Sequence, residues 1–241
     1  MIRIGTAGWS VHSRYADTVP PGGTHLERQA RVLDCAEINS SFYRPHQPST
    51  YTRWAASTPP GFRFAAKLPK TATHGARLVD TDAIVEAFLA EAGGLDDRLG
   101  VLLVQLPPKL AFDAAVAERF FAMLRQRHSG GIACEPRHPS WFEPDAEALL
   151  IKHRIGRVVA DPLVGSPAAA SPGGWPGLAY YRLHGTPRVY FSDYPPETLT
   201  AWAAKLRASA AAGAEVWCIF DNTAGSHAVG NVIEMKALVA D

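Results

Sequence analysis

The chain has 241 residues, with 24 Lys plus Arg against 23 Asp plus Glu and a formal net charge of +1. Hydrophobic residues make up 47% and charged residues 20%, ordinary for a globular protein, which excludes disorder, a coiled coil and a collagen-like fibre. The even charge balance weighs against a duplex nucleic-acid binder and confines any anion recognition to a local patch.

In chain order, short runs rich in β-branched and aromatic residues predict strands at 2–8, 35–39, 62–67, 101–106, 131–135, 157–161, 179–184 and 215–221. Amphipathic patterns predict helices at 24–34, 80–92, 113–128, 196–212 and 226–240. The first of these opens on Thr24 with Glu27 three residues on, a capping-box signature. Between Pro162 and Pro176 only Ala168-Ala169-Ala170 could be helical, so the sixth helix is expected to be short or irregular. Strands that alternate with helices argue for a parallel sheet. Eight such units predict one (β/α)8 TIM-type barrel domain over 1–241.

Three cysteines, Cys35, Cys134 and Cys218, each lie in an apolar strand-like run and are expected to be buried free thiols. They carry no CxxC spacing. The N-terminus reads as a strand with no secretory leader, and no stretch is apolar enough to span a bilayer. A cytoplasmic protein without a membrane role is the expectation. Walker, GxSxG and GxGxxG motifs are absent, which argues against a P-loop NTPase, an α/β-hydrolase and a Rossmann dehydrogenase.

In a parallel barrel the active site forms at the C-terminal strand ends, and here nearly every strand turns polar there. Side chains alternate along a strand, so Glu37 and Asn39 share a face, as do Glu135 and Arg137, and Arg182 and His184. The intervening Ile38, Leu183 and Phe220 are expected to face the helices. The mouth then gathers four acids (Glu37, Glu135, Asp161, Asp221), three cations (Lys67, Arg137, Arg182) and His184. An ion-pair network closing the barrel is the competing structural explanation.

The strings GTAGW (5–9), EINSSFYRP (37–45), FRFAAKLPKTATH (62–74), LLVQLPP (102–108), EPRHPSW (135–141), YYRLHG (180–185) and FDNTAGSHAVGN (220–231) run from end to end of the chain. In their order and spacing the chain resembles domain of unknown function 72, the YecE-like family of TIM-barrel proteins. The resemblance implies a TIM-type barrel and brings no assigned activity. The family's recurrent polar residues fall on Glu37, Asn39, Tyr43, Lys67, His74, Gln105, Glu135, Arg137, His138, Trp141, Arg182, His184 and Asn222. Asp221 departs from the Asn common in relatives, and the loop around Pro20-Pro21-Gly22-Gly23 is short beside theirs.

These residues suggest a chemistry. Arg137 and Arg182 could clamp a phosphate or carboxylate through their planar forks. Lys67 could stabilise oxyanion charge or, once deprotonated, act as a base or Schiff-base nucleophile. Glu37 or Glu135 is expected as general base, with His184 as its acid partner. Asn39, Tyr43, His74, Gln105, His138, Trp141 and Asn222 are expected to contact substrate, the two aromatics by stacking. No cofactor is predicted; a divalent metal, if present, would find oxygen ligands and one imidazole in Glu37, Glu135, Asp161, His184 and Asp221.

Three functions stay open. The first is an enzyme using acid–base chemistry on a small anionic, oxygenated molecule. The second, disfavoured by the net charge, is a nucleic-acid-binding or endonuclease-like barrel. The third is a non-catalytic sensor or partner-binding barrel. Arg125, Arg127 and His128 form the only dense basic run, and it is expected to be a solvated helix end.

Overall fold

The structure, a computed structural model, describes residues 1–240. Its strands are β1 (Ile2–Ala7), β2 (Cys35–Ile38), β3 (Arg63–Lys67), β4 (Leu99–Gln105), β5 (Gly131–Glu135), β6 (Gly156–Arg157), β7 (Val159–Asp161), β8 (Gly173–Gly174), β9 (Leu178–Leu183) and β10 (Glu215–Phe220). They form one sheet in the order β7-β9-β10-β1-β2-β3-β4-β5-β6-β8. All neighbours run parallel except β6 and β8.

The two ends of this sheet nearly meet, because only Val158 separates β6, paired to β5, from β7, paired to β9. The Val158 amide donates to the Cys134 carbonyl at 2.8 Å. At Gly156 a Cβ would run into the Leu178 carbonyl of β9, so a side chain there would hold the ends apart. The result is an α/β fold around a nearly closed, barrel-shaped sheet.

The sheet has ten strands rather than the expected eight. The run 157–161 divides at Val158, where the chain changes neighbours, and Gly173–Gly174 adds an antiparallel pair that no side-chain pattern could announce. The sixth helix is short, as expected: a 3-10 turn at Pro167–Ala170.

The helices are α1 (His25–Gln29), α2 (Ser40–Tyr43), α3 (Pro48–Ala56), α4 (Asp82–Ala92), α5 (Ala114–Arg127), α6 (Pro144–Lys152), α7 (Pro196–Ala211) and α8 (Ala228–Ala240). The capping box forms: Glu27 N donates to Thr24 Oγ1 at 3.3 Å and Thr24 N to Glu27 Oε2 at 2.6 Å. Yet α1 stops at Gln29, short of the expected 34. α3 and α6 were not anticipated from periodicity, since each is nine residues long. Both begin on a proline, whose fixed φ and missing N–H suit the first helical turn.

Strand parity separates two cores. Cys35, Ala65, Val101, Leu103, Ala133, Val158, Leu178, Tyr180, Trp217 and Ile219 fill the barrel interior. Ile4, Ile38, Phe64, Val104, Tyr181, Leu183 and Phe220 pack outward against helix residues such as Phe88, Phe120, Leu150, Leu199 and Val232. Ile38, Leu183 and Phe220 thus lie in the helix layer, as alternation requires. Among the described residues no helix is long and apolar enough to cross a membrane.

All three cysteines are free and buried, and burial pushes each thiol well above its ordinary range. Thiolate is the reactive form. We expect labelling of the native protein by a maleimide to proceed only at the rate of unfolding, with all three reacting at once in denaturant. Fast single-site labelling without denaturant would contradict this packing.

Candidate functional site

The barrel interior is apolar until its C-terminal end, where β2, β3, β4, β5, β9 and the residue after β10 bring in Glu37, Lys67, Gln105, Glu135, Arg182 and Asp221. Arg182 organises this layer. A guanidinium has five N–H donors, and here all five are engaged. Nε and Nη2 hold Glu37 Oε2 (3.0 Å) and Oε1 (2.7 Å). Nη1 donates to Glu135 Oε2 (2.6 Å) and His184 Nε2 (2.9 Å). Nη2 also donates to Asp221 Oδ2 (2.9 Å). Although burial opposes its charge, Glu37, Glu135 and Asp221 hold the Arg182 proton more firmly than usual. Arg182 therefore forms the frame of the site, and the expected substrate clamp at this residue is corrected.

The same contacts correct two expected general bases. Glu37, fully buried, accepts the Arg182 fork and the Tyr180 hydroxyl (2.8 Å). Glu135 accepts from Arg182 and, on Oε1, from Arg137 Nε (3.1 Å) and Nη2 (2.8 Å). Burial would raise the Glu135 pKa, but the two guanidiniums overcome it and hold the carboxyl well below its usual range. Each carboxylate thus accepts three hydrogen bonds within the frame.

His184 is corrected as an acid. Arg182 can only donate, so His184 Nε2 accepts, and the ring proton sits on Nδ1 facing the Asp161 carbonyl at 3.2 Å. Burial, reinforced by Arg182, lowers its pKa to about 4. At neutral pH it is an uncharged imidazole with its one N–H already engaged.

Two groups in the same layer titrate near neutrality. Burial raises the Asp221 carboxyl to about 6, with Arg182 only partly offsetting it. Burial and then Arg182 lower Lys67 to about 8, against the pull of Glu37, Glu135 and Asp221. The local sequence builds the lysine's setting. Ser41 Oγ donates to the Lys67 carbonyl (2.7 Å), pinning α2 to the end of β3. The next residue, Phe42, places its ring 4.2 Å from Nζ. The carboxylates turn to Arg182, and among the described residues Lys67 forms no ion pair with any of them.

Arg137 keeps Nη1 free of protein partners, and its side chain is 24% exposed. His74 stands on a π-helical turn, Thr71–Gly75, of the kind often found at functional sites. Its Nδ1 meets Thr73 Oγ1 at 2.9 Å. Burial, then Lys67 and Arg137, lower its pKa, so it stands neutral beside the two cations. Gln105 ends β4 opposite Glu135. Asn39 leaves Oδ1 buried and unpartnered at the end of β2. Tyr43 is an exposed rim aromatic, 68% accessible.

Several expected ligand contacts turn out to be structural ties. His138 caps the 3-10 turn Pro139–Phe142, bonding Ser140 Oγ at 2.8 Å. Trp141 is buried and donates to the Leu110 carbonyl (2.9 Å), leaving no face for stacking on a ligand. Asn222 donates to Ser192 O (3.0 Å) and Asn231 Oδ1 (2.8 Å), fastening the loops that follow β9 and β10. Asp161 faces away from the mouth, accepting from Tyr194 (2.6 Å) and Thr186 (2.8 Å). The five groups considered for a divalent metal are therefore not arranged as one ligand shell, and no three His, Cys, Asp or Glu side chains among the described residues are so grouped.

Sequence reasoning passed over Tyr180, Phe42 and Tyr190. Tyr180 shares the inward face with Arg182, two residues on, so parity could have found it. Tyr190 could not be read from a strand: it lies in the loop after β9 at φ +68°. Its amide donates to His184 O (2.6 Å), and its ring meets the His184 ring edge-on at 5.8 Å.

Fold and site together define a barrel-shaped α/β protein with a buried arginine–carboxylate frame at the C-terminal strand ends. Within that class, the chain belongs to the family described as Protein of unknown function DUF72, whose family model matches residues 3–241. It is 32% identical over 167 residues to UPF0759 protein YecE of Escherichia coli K12, covering 67% of this chain and 59% of that protein. The O157:H7 counterpart is 34% identical over 156 residues, covering 64% and 55%. The chain thus matches less than two thirds of the length of these relatives. Among solved structures, a DUF72 family protein from Enterococcus faecalis superposes with a TM-score of 0.85 at 20% identity, covering 100% of this chain and 96% of that one. Another from Thermotoga maritima gives 0.79 at 21% identity, covering 100% of both.

Proposed function

We propose that this protein is an enzyme that binds a small anionic, oxygenated molecule at the barrel mouth and acts on it by proton transfer. Asp221 and Lys67 are the proton-transferring pair, and Arg137 is the anion contact. One observation carries the reading: Arg182 takes up three carboxylates at once and leaves Lys67 a buried cation without a counter-ion. A purely structural network would pair that ammonium, because burying an unpaired charge is costly. A phosphate or carboxylate group entering the mouth supplies the missing counter-charge. The two titrating groups flank neutrality, as acid–base work at physiological pH requires.

The sheet fits this role as a (β/α)8 barrel whose sixth strand is split around Val158, so that the site occupies the catalytic end of that fold. The proposed chemistry draws on side chains alone. Three buried free thiols suit a reducing, cytoplasmic setting. A small ligand also fits better than a duplex. Arg125, in the only dense basic run, is no solvated helix end: it donates to the carbonyls of His128, Gly130, His153 and Arg154.

Calorimetric titration with inorganic phosphate tests the reading. We expect one site, with affinity falling roughly tenfold or more in Arg137→Ala, the value of one hydrogen bond to a charged group. Phosphate affinity unchanged in both Arg137→Ala and Lys67→Met would sink it.

A further inference from the structure

We propose that Lys67 is an imine-forming nucleophile, and that the mouth takes a small carbonyl compound bearing a phosphate or carboxylate. This rests on the reading of the mouth as an anion site and adds the covalent step and the substrate class.

Imine formation demands a neutral amine, held still, with open approach to its lone pair and an acid nearby for the departing oxygen. Lys67 meets the first demand through its surroundings. Burial, and then Arg182 from β9, oppose its charge, while Glu37 from β2, Glu135 from β5 and Asp221 after β10 favour it. The three carboxylates are held by guanidinium, so none makes the short ion pair that keeps an ordinary lysine protonated. His74, facing from the π-helical turn, is itself disfavoured as a cation by Lys67. Burial is the largest of these influences, and together they bring the amine to about 8.

The second demand is met by the chain around it. Ser41 Oγ fixes the Lys67 carbonyl (2.7 Å), and the following Leu68 amide bonds Leu103 O (2.9 Å). The Phe42 ring lies against Nζ on one side at 4.2 Å. A ring face accepts no proton from a neutral amine strongly enough to block attack. Phe42 therefore orients the amine without occupying its lone pair.

The step balances without a further reactant. The Nζ lone pair attacks the carbonyl carbon, forming a C–N bond. The C=O π electrons move to oxygen, which takes a proton and yields a carbinolamine. Nζ loses a proton to solvent, the C–O bond breaks, and the oxygen leaves as water after a second protonation. Asp221, raised to about 6, is placed to give and regain these protons. The imine carries the former carbonyl carbon, and Arg137 Nη1 is available to hold the substrate's anionic group.

The chain contains six lysines, so Lys70, Lys109, Lys152, Lys205 and Lys236 are internal controls in one digest. The protein is incubated near pH 7 with dihydroxyacetone phosphate, and separately with pyruvate, in the presence of cyanoborohydride. This reagent reduces an imine to a stable secondary amine that peptide mass mapping locates. A lysine at about 8 holds about three-hundredfold more free amine at pH 7 than one at 10.5. We therefore expect Lys67 to carry at least about tenfold more adduct than any other lysine. Inorganic phosphate should suppress it, and Lys67→Arg should abolish it. Adducts spread evenly over exposed lysines, with Lys67 unmodified by both probes, overturn the imine. If phosphate still binds in that case, the anion site stands and only the covalent step fails. If phosphate does not bind either, both readings fall.

Discussion

Replacing Arg182 by Met should destabilise the protein more than any other single change at the mouth. The variant leaves Glu37, Glu135 and Asp221 facing one another with their main counter-charge gone. Removing one partner of a buried ion pair costs roughly 3–5 kcal/mol, because the remaining charge stays desolvated. For a chain of this size that lowers the melting temperature by about 10 °C. The part of the pH dependence that Glu135 contributes should also change sign. In the native protein Glu135 is held well below its ordinary range, so its contribution is present above the unfolded carboxylate pKa and is lost as pH falls below it. In the variant the carboxylates are raised above their unfolded values. Their protonation then stabilises the fold, and stability should increase as pH falls from neutral toward the unfolded carboxylate pKa. Arg182→Lys keeps a charge but cannot present five donors in a plane, so it should recover only part of the loss. Urea denaturation across this pH range decides the matter. An Arg182→Met protein as stable as the wild type at pH 7 would show that the carboxylates are hydrated and that the frame does not exist.

This frame explains why the sequence revealed the mouth but not the roles within it. Alternation put Glu37, Lys67, Glu135 and Arg182 on one face, and the backbone bears that out. Parity says which residues meet, and stops there. Whether Arg182 clamps a ligand or binds Glu37, Glu135 and Asp221 depends on distances between strands far apart in the chain. The same limit applies to HPSW at 138–141, which reads as two ligand contacts and serves as a tie from the loop after β5 to Phe112 and Leu110. Eight strand runs were legible because each is an apolar run with a polar end. The split at Val158 was not, since one change of neighbour leaves no mark on hydrophobic pattern. Gly173–Gly174 pairs through backbone alone. α3 and α6 escaped periodicity yet carried a readable start signal in Pro48 and Pro144. Tyr190 reaches His184 through a left-handed backbone that Tyr rarely adopts, so no propensity argument would have placed it there.

Lys67→Met should make the protein more stable while emptying it of function. Below pH 8 the lysine is protonated in the folded and unfolded chains alike, and the folded state bears the full penalty of a buried ammonium. The depression from 10.5 to about 8 corresponds to about 3 kcal/mol. Methionine fills similar space with no charge, so a gain of roughly 1–3 kcal/mol is expected at pH 7. The sign of the pH dependence follows. Between pH 8 and 10.5 the folded lysine has lost its proton while the unfolded one keeps it, so unfolding takes up a proton. Wild-type stability should therefore rise through this window relative to the variant, and the difference should close as the unfolded pKa is approached. Denaturant titrations of both proteins from pH 7 to pH 9.5 measure it directly. Phosphate binding should weaken in the same variant, because the unpaired ammonium is what the anion comes to neutralise. A Lys67→Met protein less stable than the wild type at pH 7 would mean that the lysine is a counter-ion holding Glu37, Glu135 and Asp221 together. A more stable variant that no longer binds phosphate would mean that the fold tolerates a strained charge at the place where a ligand needs it.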